Sequence, residues 1–101
     1  MAVTCTTLDQ VRENIDLLDQ QIVTLLAERG GYVSQAARFK KDSDGVKAPQ
    51  RVEQVITKVR DLSLEVGANP EVTEQVYRAM IAAFIEQELA EHAALAINQT
   101  A

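Results

Sequence analysis

At 101 residues, 47% of them hydrophobic, the chain has the length of one small domain and enough apolar material for a core of its own. A net charge of −5, from 10 Lys and Arg against 15 Asp and Glu, argues against nucleic acid as a main partner, so the positive charges matter locally and not in total. The lone Cys5 excludes an intrachain disulfide and, with a single histidine, a structural metal site of four Cys or His ligands; it fits a cytoplasmic, reducing compartment. No basic start followed by an apolar run marks a signal peptide at residues 1–10, and no apolar stretch approaches the ~20 residues that span a membrane.

The first element opens at Thr7-Leu-Asp-Gln10, a capping-box pattern with Asp9 suited to the helix dipole. Leu8, Val11, Ile15, Leu18, Ile22 and Leu25 then recur at alternating steps of three and four, the period of one buried helical stripe. The next step lands on Arg29, and the stripe resumes at Tyr32, Val33 and Ala36. The pattern predicts a helix from about Leu8 to Lys40 or Lys41, roughly 50 Å long at ~1.5 Å per residue. A compact monomer of this size cannot cover such a stripe, so a second chain is expected over it. Gly30-Gly31 weakens this helix by about 2 kcal/mol relative to alanine. One reading is a break into two helices near residue 30. The other, favoured because the stripe keeps its phase, is a continuous helix that gives up side chains where a partner or ligand comes close.

Asp42-Ser-Asp-Gly-Val-Lys47 reads as a polar loop, and Pro49 as the first position of a second helix. That helix carries Val52, Val55, Val59, Leu62 and Val66 on one face and ends at Gly67. Asn69-Pro70, a cap followed by proline, starts a third helix that runs to about Ile97, with the last few residues fraying. Its inner face includes Tyr77, Ile81, Phe84 and Glu88. The fold class is all-α, a single domain over residues 1–101 with a core of about 7–97.

A guanidinium at a core position needs an anionic partner, either a carboxylate of the protein or a bound anion. Arg12 at the stripe's edge, Arg29 within it, Lys40 at the end of the first helix and Arg51 at the start of the second would suit a small dianion, since Arg binds carboxylates in a fork and Lys supplies a mobile point charge. The plain alternatives are an Arg29 paired with Glu28 or Glu88, and a solvated basic helix end at Arg38, Lys40 and Lys41. His92 is expected to be exposed, and Cys5 to lie in a tail. There is no phosphate loop, nucleophile elbow or metal-ligand spacing.

Arg12-Glu-Asn-Ile-Asp16 through Leu-Leu-Asp19, then Leu25-Leu-Ala-Glu-Arg29, Ala36-Ala-Arg-Phe-Lys40 and Pro49-Gln-Arg51-Val, together resemble the all-helical chorismate mutase family, most nearly its isochorismate pyruvate lyase branch. The resemblance covers about Leu8 to His92. It implies three-helix protomers intertwined as a six-helix homodimer, with Arg29, Lys40 and Arg51 in one site and Arg12 reaching into it from the other protomer. Val33, Ala48, Val52 and Phe84 would line the substrate, and Glu88 would join Arg29 and Lys40 as a catalytic group. The family's reactions, chorismate to prephenate or isochorismate to salicylate and pyruvate, are pericyclic and use no cofactor or metal. Such chemistry asks a protein to orient the enolpyruvyl ether and to stabilise charge growing on its oxygen.

Three positions depart from the family pattern. Ala48 and Val52 stand where familiar mutases carry acidic residues beside the Arg51 position, which favours the lyase branch or an altered mutase, including one acting on an amino-substituted chorismate. Glu88 stands where many bacterial members have Gln, and a protonated Glu88 would donate to the ether oxygen. Gly30-Gly31 replaces bulkier residues. The competing class is a non-catalytic helical module that dimerises or regulates.

Overall fold

The computed structural model describes residues 2–100, and their side chains as far as residue 94. Its helices are α1 (Leu8–Ala37), α2 (Ser43–Lys47), α3 (Pro49–Val66) and α4 (Pro70–Thr100), and the described residues contain no strand. Three long helices are as expected; the short α2 replaces the expected polar loop. The chain divides into two compact units, residues 1–32 and 33–101.

The first unit is essentially α1. The Thr7 hydroxyl accepts from the Gln10 N–H at 3.1 Å, and the Gln10 side chain accepts from the Thr6 N–H at 2.9 Å. This is a capping box whose return bond falls one residue earlier than usual. The helix passes through Gly30-Gly31 without a break. Its stripe stays on the surface of the single chain: Leu8, Ile15, Leu18, Ile22 and Leu25 are each about half exposed or more.

In the second unit α3 and α4 pack together, and α2 packs on α4. Ile56 and Val59 of α3 and Ile81 of α4 are buried, worth ~1.5–3 kcal/mol each. The buried face of α3 is rotated from the one expected. Val52 and Val55 are half-buried and Val59 is buried, but Leu62 and Val66 are exposed, and Ile56 and Ser63 take the interior. Ser63 enters the core because its hydroxyl donates to the Val59 carbonyl at 2.8 Å, leaving no orphaned polar group. Arginines tie the hairpin together outside the core. Arg60 spans Glu71 and Glu74 at 2.8 and 2.7 Å, while Arg78 grips Glu53 with both guanidinium arms at 2.9 Å and reaches Glu74 through Nε at 2.7 Å.

The junctions follow local chemistry. Gly67, at φ 78°, closes α3 in the left-handed region, and the Ala68 N–H caps the Ser63 carbonyl at 2.8 Å. The Asn69 side chain accepts from the Glu71 N–H at 3.0 Å to open α4. α4 runs past the expected end near Ile97 to Thr100, and the side chains of the last residues, where fraying was expected, lie outside those described.

Candidate active site

α1 ends at Ala37, short of the expected Lys40 or Lys41. Arg38, Phe39 and Lys40 donate to carbonyls three residues back, at 3.2, 3.0 and 3.4 Å, so the ladder tightens and the chain leaves the α-helical register. Lys40 therefore belongs to the link between helices and not to the helix end. Asp42 then caps α2, its side chain accepting from the Gly45 N–H at 2.8 Å. Val46, 2% exposed, anchors α2, so residues 42–48 form a packed helical turn and not an open polar loop. Ala48 joins α2 to α3 with φ 36° and ψ 62°, a left-handed conformation that ordinarily favours glycine.

Two of the candidate residues meet directly. Lys40 Nζ lies 2.8 Å from Glu88 Oε2, and the Glu88 side chain is 4% exposed. The contact is a charge pair and not an aligned hydrogen bond: Oε2 is buried with no hydrogen-bond donor directed at it. A carboxylate oxygen with spare acceptor capacity, buried beside a cation, is poised for a further donor. Glu88 sits on the expected inner face, with Ile81 buried and Tyr77 and Phe84 half-buried.

The remaining candidates of the second unit flank two helix segments. Ala48 and Val52 are half-buried and Arg51 is exposed, all at the start of α3, while Phe84 lies one turn before Glu88 on α4 and Val33 is half-buried near the end of α1. Arg51 makes no side-chain ion pair among the described residues. In the first unit, Arg29 is half-buried, and Arg12 is exposed and without an ion pair among the described residues.

His92 was expected to be exposed and is half-buried instead, with Nε2 2.9 Å from the Lys40 carbonyl oxygen. Its position four residues after Glu88 would have placed it on the same face of α4. Ser34 donates to Glu91 Oε1 at 3.0 Å, which fastens the last turn of α1 to α4, and Gln87, one turn earlier on α4, donates to the same oxygen at 3.3 Å. Cys5 is partly covered, with its sulfur 3.6 Å from Asn14 Nδ2. Among the described residues no three His, Cys, Asp or Glu side chains are grouped to hold a metal ion, and no helix is long and apolar enough to cross a membrane. Two open depressions, one along Pro49, Gln50, Glu53, Gln54 and Thr57 and one along Leu17, Gln20, Gln21, Thr24 and Leu25, contain none of the candidate residues and are surfaces of single helices.

This chain, helical throughout its long elements and with the Lys40 ammonium beside the buried Glu88 carboxyl of α4, matches the family model for chorismate mutase type II over residues 11–89, and the protein belongs to that family. It is also similar to the isochorismate pyruvate lyase of Pseudomonas aeruginosa, with 32% identity over 85 residues covering 84% of each chain.

Proposed function

We propose that the protein is a homodimeric, cofactor-free enzyme of pericyclic chemistry that converts chorismate to prephenate. The observation that carries this reading is the Lys40–Glu88 pair, a cation held beside a buried carboxyl in a chain of the chorismate mutase type II family. The reaction breaks the carbon–oxygen bond of an enolpyruvyl ether while a carbon–carbon bond forms, and it needs neither nucleophile nor general base. Arg12 and Arg29 clamp the two substrate carboxylates, which fixes the folded ether over the ring. Lys40 directs its ammonium at the ether oxygen as negative charge develops there. Glu88, 2.8 Å from that ammonium, holds it toward the same oxygen. Arg51 closes the site from the start of α3, and Val33, Ala48, Val52 and Phe84 shape its walls.

The exposed apolar stripe of α1 supports a second copy as its cover. Residues 1–101 then act as one domain completed by its partner, with Arg12 of each chain serving the other's site, in the cytoplasm.

A second reading, isochorismate pyruvate lyase, is favoured by Ala48 and Val52 and by the similarity to the lyase of Pseudomonas aeruginosa. Supplying chorismate and isochorismate separately and identifying the products by chromatography tests both. Prephenate from chorismate is the expected result. Salicylate and pyruvate from isochorismate, at much the higher efficiency, would replace the first reading by the second. Turnover of neither would turn attention to an altered substrate, such as an amino-substituted chorismate, or to a non-catalytic dimerisation or regulatory module.

A further inference from the structure

We infer that His92 is a positioning residue for Lys40: α4 holds that lysine at both ends, its ammonium through Glu88 and its backbone carbonyl through His92. The two groups stand one helical turn apart, so a single rigid element sets both grips. The Lys40 ammonium lies 2.8 Å from Glu88 Oε2, and the Lys40 carbonyl oxygen lies 2.9 Å from His92 Nε2. A carbonyl only accepts, so Nε2 carries the hydrogen in this contact.

The grip matters because of where Lys40 sits. α1 has already ended, and the Lys40 N–H reaches the Ala37 carbonyl only at 3.4 Å. No backbone N–H of the described residues bonds the Lys40 carbonyl in return. The lysine stem runs beside Gly45 of α2, where an added Cβ would lie 3.6 Å from Lys40 Cβ. A lysine has a long flexible stem, so a small backbone shift moves its ammonium by a larger distance. An ammonium aimed at a developing charge must be held within about 0.5 Å, and a group that fixes its backbone acts on the barrier. The histidine itself touches no reacting atom.

The inference rests on Lys40 acting at the ether oxygen as proposed above, and two measurements separate its failure from failure of that reading. The first is amide hydrogen exchange of residues 38–47, which needs no substrate. Exchange there rises in His92→Phe and stays native-like in His92→Gln, whose terminal amide offers a donor at similar reach. His92→Leu serves where the larger ring prevents folding. The second is turnover. His92→Phe lowers kcat about tenfold with a smaller change in KM, His92→Gln restores most of it, and His92→Phe has no further effect in a Lys40→Ala background. Unchanged exchange in His92→Phe overturns the tether. Equal kcat losses in native and Lys40→Ala backgrounds, or a Gln variant as damaged as the Phe variant, overturn the positioning role. A native protein that turns over neither chorismate nor isochorismate sinks the catalytic reading, while exchange still decides whether His92 holds the segment.

Discussion

Lys40 Nζ and Glu88 Oε2 approach to 2.8 Å although Lys40 lies outside any helix and Glu88 lies deep within α4. The carboxyl is almost fully buried and the ammonium about one-quarter exposed, so the pair is asymmetric in its dependence on water. Removing the lysine strands a buried carboxylate. Lys40→Met is expected to lower stability by about 2–3 kcal/mol, below the full penalty for a fully buried pair because Lys40 keeps some solvent. Adding Glu88→Gln should recover much of that loss by removing the charge. Urea denaturation of the native, single and double variants measures both steps. A double variant no more stable than Lys40→Met would mean the loss comes from packing of the lysine stem.

Acid should loosen the α3–α4 hairpin. Hydrogen bonds from Arg78 hold Glu53 below the usual glutamate range, and Arg78 with Arg60 does the same for Glu74. A carboxylate with a lowered folded value stabilises the fold above its unfolded value and stops doing so as pH falls through the folded one. Stability is therefore expected to be retained at neutral pH and to decline below about pH 4.5. Glu53→Gln with Glu74→Gln should be less stable at pH 7 and lose less between pH 7 and 3. Parallel curves for native and variant would show that these exposed pairs contribute nothing measurable, the common fate of surface ion pairs. Added salt should narrow the difference.

The helices were legible because their signals are local: Thr7 and Asn69 as caps, Pro49 and Pro70 at first positions, Gly67 as a stop. Glu88 was legible because it continues the spacing of Tyr77, Ile81 and Phe84. What escaped depends on tertiary contacts. Three i→i+3 bonds move Lys40 out of α1, and nothing in Ala36-Ala-Arg-Phe-Lys40 signals that tightening. Val46 is buried and α2 packs on α4, so an apparently polar stretch is a helix. The buried face of α3 was misread because apolar Leu62 and Val66 outweighed Ser63, whose hydroxyl is satisfied by its own helix. The Arg60 and Arg78 bridges needed the hairpin's register, although Glu74 and Arg78 already stand at i, i+4.

Ala48 gives a prediction from backbone geometry alone. Its left-handed φ of 36° costs a Cβ-bearing residue ~1 kcal/mol through contact with the following carbonyl. Ala48→Gly is expected to be neutral or stabilising by up to ~1 kcal/mol, and Ala48→Val destabilising by more than that. Asp tolerates this region better than most residues, so Ala48→Asp should fold and should raise turnover of chorismate relative to isochorismate. Thermal melts and paired assays check the three variants. A stabilising Ala48→Val would mean the position is not strained.

Gly31 sits in mid-helix with nothing within 4 Å of where a Cβ would stand, so the single chain gives no steric reason for glycine. Ala there should strengthen α1 by about 1 kcal/mol. Close approach by a second chain or by substrate reverses the outcome, and Gly31→Ala is expected to weaken assembly or turnover despite the better helix. Sedimentation equilibrium and kcat/KM read the two effects. A variant more stable, equally dimeric and equally active would leave the glycine pair as tolerated variation.

Mixing subunits tests whether the site is shared. Arg12→Ala and Arg29→Ala should each abolish most turnover while helical content survives, because each removes a carboxylate clamp without touching the core of the second unit. If Arg12 serves the partner's site, a heterodimer of the two variants has one site with both arginines and one with neither. Random reassociation makes half the dimers heterodimers, each with one working site, so the mixture should recover roughly a quarter of native activity per chain. The measurement is activity after unfolding and refolding equal amounts of the two variants together, against each refolded alone. No recovery, with heterodimers demonstrated by a tag on one chain, would place Arg12 and Arg29 of the same chain in one site and remove the exchange of Arg12 between protomers.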